Sequence, residues 1–116
     1  GTSGLTRLVK ATQFSWKGLK AAFANEQAFR QEVYLSIVLI PLALYLGENE
    51  LEYALLISVI LLILVIELIN SGIEAIVDRV STEHHELSGR AKDIGSAAVL
   101  LSLINAAIVW ALVLIK

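Results

Sequence analysis

Glu67, Asn70 and Glu74 recur at intervals of three and four residues in the middle of the chain, and together they could do chemistry. At about 100° per residue on a helix, these three, with Ser71 and Asp78, fall within about a quarter to a third of the circumference. The other side of the same helix, Leu68, Ile69, Ile73, Ile76 and Val77, is apolar. Carboxylates on the continuation of a hydrophobic helix are costly unless they pair, face water or hold a metal, which marks the stripe as a candidate site. Asp78, at the polar end, is expected simply to face water. Glu67 lies only one turn beyond Ile63, and that reading suits it poorly.

Glu26, Glu67 and Glu74, with Asn70, make an oxygen-rich set suited to a hard divalent ion such as Mg²⁺, which takes one or two carboxylates together with substrate phosphates. Cysteine is absent and the two histidines, His84 and His85, are adjacent, so no zinc site and no disulfide framework are expected. Residues 88–93, Ser-Gly-Arg-Ala-Lys-Asp, read as a helix start whose backbone N–H groups, with Arg90 and Lys92, favour phosphate. These elements together describe metal-assisted phosphoryl transfer. There is no Gly-x-x-x-x-Gly-Lys-[Ser/Thr] loop, no glycine-rich kinase loop and no His-Arg-Asp, so neither familiar nucleotide fold is expected.

The elements that must position these residues are membrane helices. In 116 residues, 57% are hydrophobic and one is proline, and the mean hydropathy is +0.75. That is too apolar for a soluble domain of this size, and the chain reads as one all-α membrane domain, 1–116. Leu5, Leu8, Val9, Thr12, Trp16, Leu19 and Phe23 share one side of a first helix, 5–24, while Arg7, Lys10, Gln13, Lys17 and Lys20 take the other. A basic amphipathic helix of this kind lies in the interface of an anionic leaflet. No signal peptide is expected, because no compact apolar core precedes a small-residue cleavage site.

Three spans follow, over 28–47, 51–80 and 90–115. Val33 to Leu46 is apolar for only 14 residues, about 21 Å of helix, so part of 28–32 must help cross a core of about 30 Å. Pro41 is a potential kink. The second span continues into the acidic stripe, 81–89 is a polar connection, and Ala98, Ser102, Asn105 and Ala106 form a packing stripe on the third span. Arg7, Lys10, Lys17, Lys20 and Arg30 precede the first span and Arg79, Arg90 and Lys92 flank the second connection, whereas 47–50 carries two Glu and no base. By the positive-inside rule the N-terminus and the second connection are cytoplasmic, and the acidic stripe faces the ATP-containing side. Glu67 then sits near the inner headgroup boundary, about 21 Å along the helix from Tyr53. The net charge of −2 and unclustered bases make nucleic acid an unexpected partner.

Three segments carry a family resemblance: Asn25-Glu26-Gln27-Ala28-Phe29-Arg30-Gln31-Glu32, Glu67-Leu68-Ile69-Asn70-Ser71-Gly72-Ile73-Glu74-Ala75-Ile76-Val77-Asp78-Arg79, and Glu86-Leu87-Ser88-Gly89-Arg90-Ala91-Lys92-Asp93-Ile94-Gly95-Ser96-Ala97-Ala98-Val99. In this order the chain resembles the prokaryotic diacylglycerol kinases. The resemblance implies a homotrimer in the Gram-negative inner membrane, with a surface helix and three transmembrane helices per subunit and active sites completed by neighbours. It implies phosphorylation of diacylglycerol by MgATP to phosphatidic acid.

By position, the resemblance implies that Glu67 is the general base and that Glu26 and Glu74 hold the divalent ions on ATP. Arg7, Phe14, Glu83, His84, His85, Lys92 and Asp93 would complete the nucleotide site, and Asn70 would orient it. Lipid contacts would fall on Ser15, Trp16, Ala28, Phe29, Arg30, Gln31, Glu32, Glu48, Ser96 and Trp110, besides Glu67. Phe14 and His84 stand where the family commonly has tyrosine, and the first removes a hydroxyl. Two alternatives remain at this point: an undecaprenol kinase of the same fold, and a small oligomeric channel or transporter with Glu67 and Glu74 lining a pore. A pore would spread charge across the bilayer, whereas here the charge gathers at one end.

Overall fold

The computed structural model describes residues 2–80 and 86–115 as four helices: α1 (Thr2–Asn25), α2 (Gln27–Leu46), α3 (Glu50–Val80) and α4 (Glu86–Leu114). No strand occurs among the described residues. The last three helices are each long and apolar enough to cross a membrane. The architecture is all-α, with an amphipathic helix ahead of three candidate spans.

The corner between α1 and α2 is built by a few polar contacts. Glu26 adopts an extended conformation (φ −113°, ψ 108°) and interrupts the helix between Asn25 and Gln27. The last carbonyls of α1 would be orphaned there. Arg30 reaches back to donate from Nη1 to the carbonyls of Phe23 (2.8 Å) and Ala24 (3.3 Å), and Asn25 Nδ2 donates to that of Ala21 (2.9 Å). The Phe23 and Tyr34 rings meet edge to face at 5.7 Å and tie the two helices across the bend.

α2 remains one helix through Pro41. It ends at Gly47, where a β-carbon would lie 2.6 Å from the Tyr53 ring; the closeness of α3 to the end of α2 therefore requires glycine. Asn49 Oδ1 accepts from the Glu52 N–H (2.9 Å) and the Glu52 carboxylate accepts from the Glu48 N–H (3.0 Å), a reciprocal cap that starts α3.

α3 is the central element and packs on α4 most extensively, then on α2, with α1 touching α2 and α3 only lightly. Leu56, Val59, Ile60 and Ile63 of α3 are buried with Ala106 of α4, and Leu39, Ile40, Val109 and Trp110 close around them. The Trp110 indole donates to the Leu56 carbonyl across the helix pair (3.1 Å). Ser36 and Ser102 are buried but bond to the carbonyls of Val33 and Val99 in their own helices. Only half of the packing stripe expected on α4 is used: Ser102 and Ala106 are buried, while Ala98 and Asn105 are exposed in the single chain. α3 and α4, at 31 and 29 residues, are about 45 Å long, more than a core of about 30 Å requires.

The start of α4 differs from the sequence expectation. The helix runs from Glu86 rather than from near Arg90, so Ser88 and Gly89 lie in its first turn and Arg90 to Asp93 in the second. An exposed Glu86–Arg90 pair one turn apart (3.5 Å) supports those turns. The expected phosphate cradle of free N–H groups is therefore reduced to the first-turn residues Ser88 and Gly89, and any contribution from 90–93 must come from side chains.

Candidate active site

α3 carries its chemistry on the turns just past its packed half. Glu67 is 6% exposed, a buried carboxylate one turn beyond the buried Ile63. Glu26 from the α1–α2 corner, Glu32 from α2 and Glu74 from α3 are close enough for their charges to act on it. Three elements thus bring four carboxylates to one end of the bundle. Glu26 caps α2 by backbone position alone and makes no side-chain cap hydrogen bond, which leaves its carboxylate for other work.

The polar face of α3 is divided between two neighbours. On one flank Ser71, with Leu68, Gly72 and Ala75, faces α1 across a cleft of about 690 Å³ that also contains Ser15, Asn25 and Glu26. On the other flank Asp78 pairs with Lys92 of α4 (2.7 Å), and Glu74 is near enough to add its charge to the same lysine. Asp78 therefore does not merely face water: it joins α3 to α4. Between the flanks lies Asn70, whose amide packs against Gly95 of α4 so closely that a β-carbon on Gly95 would overlap the Asn70 oxygen. Asn70 Oδ1 is buried without a hydrogen-bond partner. Its acceptor is unsatisfied at an expected cost of about 1–3 kcal/mol.

Other expected site residues lie elsewhere. Arg7 and Phe14 share a separate groove of about 520 Å³ formed by α1 alone, with Ser3, Thr6, Lys10 and Ala11. Lys17 stands 5.9 Å from the Phe14 ring, a cation–π contact on the same helix. Trp16 and the buried Phe29 line an apolar hollow of about 510 Å³ with Leu19, Lys20, Phe23 and Val33. Ala28 and Gln31 are exposed beside it on α2. Asp93 and Ser96 are exposed on α4. Glu48 and Trp110 lie toward the opposite end of the bundle, where Trp110 serves the core through its bond to Leu56. Glu83, His84 and His85 fall outside the described residues.

Among the described residues, no three carboxylate or imidazole groups converge into a ready metal cage. The donor set still fits Mg²⁺, an ion held by one or two carboxylates with the rest of its shell from water and substrate phosphates. The hard oxygens of Glu26 and Glu74 are of the right kind, and the cluster needs positive charge.

A family model for prokaryotic diacylglycerol kinase matches residues 13–114. The chain belongs to that family. It is 54% identical over 109 residues to the diacylglycerol kinase of Haemophilus influenzae, covering 94% of this chain and 92% of that one. Against the diacylglycerol kinase of Escherichia coli strain K12 the identity is 50% over 113 residues, 97% of this chain and 93% of the other. Against that of Pseudomonas aeruginosa it is 51% over 115 residues, 99% and 94%. The matched range contains Glu26, Glu67, Asn70, Glu74, Lys92 and Asp93, and ends beyond Trp110. Arg7 precedes it but falls within the longer alignments only as part of their span. A kinase family, with its nucleotide-dependent phosphoryl transfer, is a different class from the pore considered for these carboxylates.

Two features of the site escape a reading of the sequence. Gly95 interrupts a helical stretch at about 1 kcal/mol relative to alanine, and a glycine so placed signals a close approach, though it does not say to what. The proximity of Glu32 to Glu67 depends on how α2 crosses α3, and spacing along the chain carries no trace of it.

Proposed function

We propose that this chain is a lipid kinase that moves the γ-phosphate of ATP to the free hydroxyl of diacylglycerol, giving phosphatidic acid at the cytoplasmic face of a bacterial inner membrane, with the N-terminus cytoplasmic. The observation that carries the proposal is the buried Glu67 carboxylate at the polar end of an apolar span, with three more carboxylates within electrostatic reach and the Asp78–Lys92 ion pair further along the same helix. A lipid hydroxyl entering from the bilayer reaches this depth first.

Glu67 takes the hydroxyl proton as that oxygen bonds to the γ-phosphorus, and the bond from phosphorus to the bridging oxygen of ADP breaks. Phosphoryl transfer needs positioning and charge neutralisation more than covalent help. Lys92, held by Asp78, supplies a fixed positive charge beside Glu74. Asn70 orients the acceptor face. Glu26 and Glu74 would hold Mg²⁺, which when bound with ATP neutralises its phosphates. The hollow lined by Trp16, Phe23, Phe29 and Val33 suits an acyl chain, and the exposed Ala28, Gln31 and Ser96 suit the lipid's glycerol end.

The proposal extends to a homotrimer. Arg7 and Phe14 occupy a groove on α1 alone, so their service to the nucleotide site is best supplied to a neighbouring copy. Asn105, exposed within a span, also gains a partner if another subunit covers it, because a polar side chain facing lipid is costly.

Purified protein in mixed micelles, offered MgATP with diacylglycerol or undecaprenol separately, tests the reaction. Rapid labelling of diacylglycerol, abolished by EDTA and restored by Mg²⁺, is expected. Preference for undecaprenol would change the substrate, and labelling of neither would overturn the reading.

A further inference from the structure

The geometry points to Gly95 as a positioning residue that sets which end of the Asn70 amide faces the active site; this rests on the kinase reading above. Two observations converge on it. A β-carbon built on Gly95 would overlap Asn70 Oδ1 and approach its Cγ to 3.1 Å, so the amide lies where only a glycine leaves room. Asn70 Oδ1 is also the buried side-chain polar atom, among the described residues, that has no partner.

The oxygen is therefore tucked against α4, where it accepts nothing, at the expense of an acceptor's hydrogen bond. The same amide has two N–H donors at its other end. With the oxygen end against α4, the donor end is left for the helix face that Asn70 shares with Glu67, three residues before it, and Glu74, four residues after it. Donors there can orient a carboxylate or a phosphate oxygen; an oxygen there would repel both. Gly95 sits on the facing helix and touches the reaction only through Asn70. Because the displaced atom would be the end of a flexible side chain and not backbone, a methyl at Gly95 turns the amide at little cost to the fold.

Gly95→Ala tests the proposal beside the wild-type enzyme, whose own activity reports separately on the kinase reading. Expected are unchanged helix content, a thermal midpoint unchanged or slightly raised by the better helix former, shifted side-chain amide resonances of Asn70 in the ¹⁵N NMR spectrum, unchanged KM for diacylglycerol, and a kcat lower by on the order of ten- to a hundredfold. In an Asn70→Ala background the added methyl has nothing to displace, so Gly95→Ala should cost no further activity. Full activity in Gly95→Ala would overturn the proposal, as would an equal loss in both backgrounds. Failure of Gly95→Ala to fold would assign the glycine to helix packing and overturn it as well.

Discussion

The two halves of α3 obey opposite rules. From Leu56 to Ile63 the helix is packed and satisfied: its buried side chains are apolar, and even the Leu56 carbonyl receives the Trp110 indole. From Glu67 to Asp78 the same helix holds a buried carboxylate in a cluster of like charge, an acceptor without a donor and an ion pair to α4. Folding alone does not favour the second arrangement, since like charges and unpaired acceptors both cost free energy. The difference teaches where this small protein keeps its stability and where it keeps its chemistry, with a single turn between Ile63 and Glu67 dividing them.

That division can be broken at either end. The largest effect is expected from Glu67→Gln, which removes the proposed base and should lower kcat by about a thousandfold or more, while the thermal midpoint stays the same or rises as a buried carboxylate leaves a cluster of like groups. Steady-state kinetics with differential scanning calorimetry on the same preparation read both. Glu74→Gln should weaken the proposed Mg²⁺ site: the Mg²⁺ concentration for half-maximal activity is expected to rise on the order of tenfold or more in a titration after EDTA treatment. In the packed half, Leu56→Ala should leave kcat of the folded enzyme within about twofold but cost ~2–5 kcal/mol of stability, seen as a lower unfolding midpoint. Trp110→Phe keeps the ring and loses one hydrogen bond, for a smaller cost of ~1 kcal/mol.

The sequence made the spans legible because their hydrophobic runs and flanking charges are one-dimensional signals; Glu67, Asn70 and Glu74 stood out because helix periodicity alone puts them on one face. What was not legible came from how the helices cross. Glu32 nears Glu67 because α2 packs on α3, Asp78 finds Lys92 because the ends of α3 and α4 lie side by side, and Gly95 matters only through the amide pressed against it. The start of α4 was misplaced because Ser88-Gly89 reads as a turn, yet Glu86 and Arg90, one turn apart, continue the helix through it.

The most direct test of the division measures kcat and thermal midpoint together for Glu67→Gln and Leu56→Ala in one micelle system. The expected pattern is crossed: Glu67→Gln inactive at full stability, Leu56→Ala active per folded molecule at reduced stability. Activity and stability falling together in both variants would contradict it.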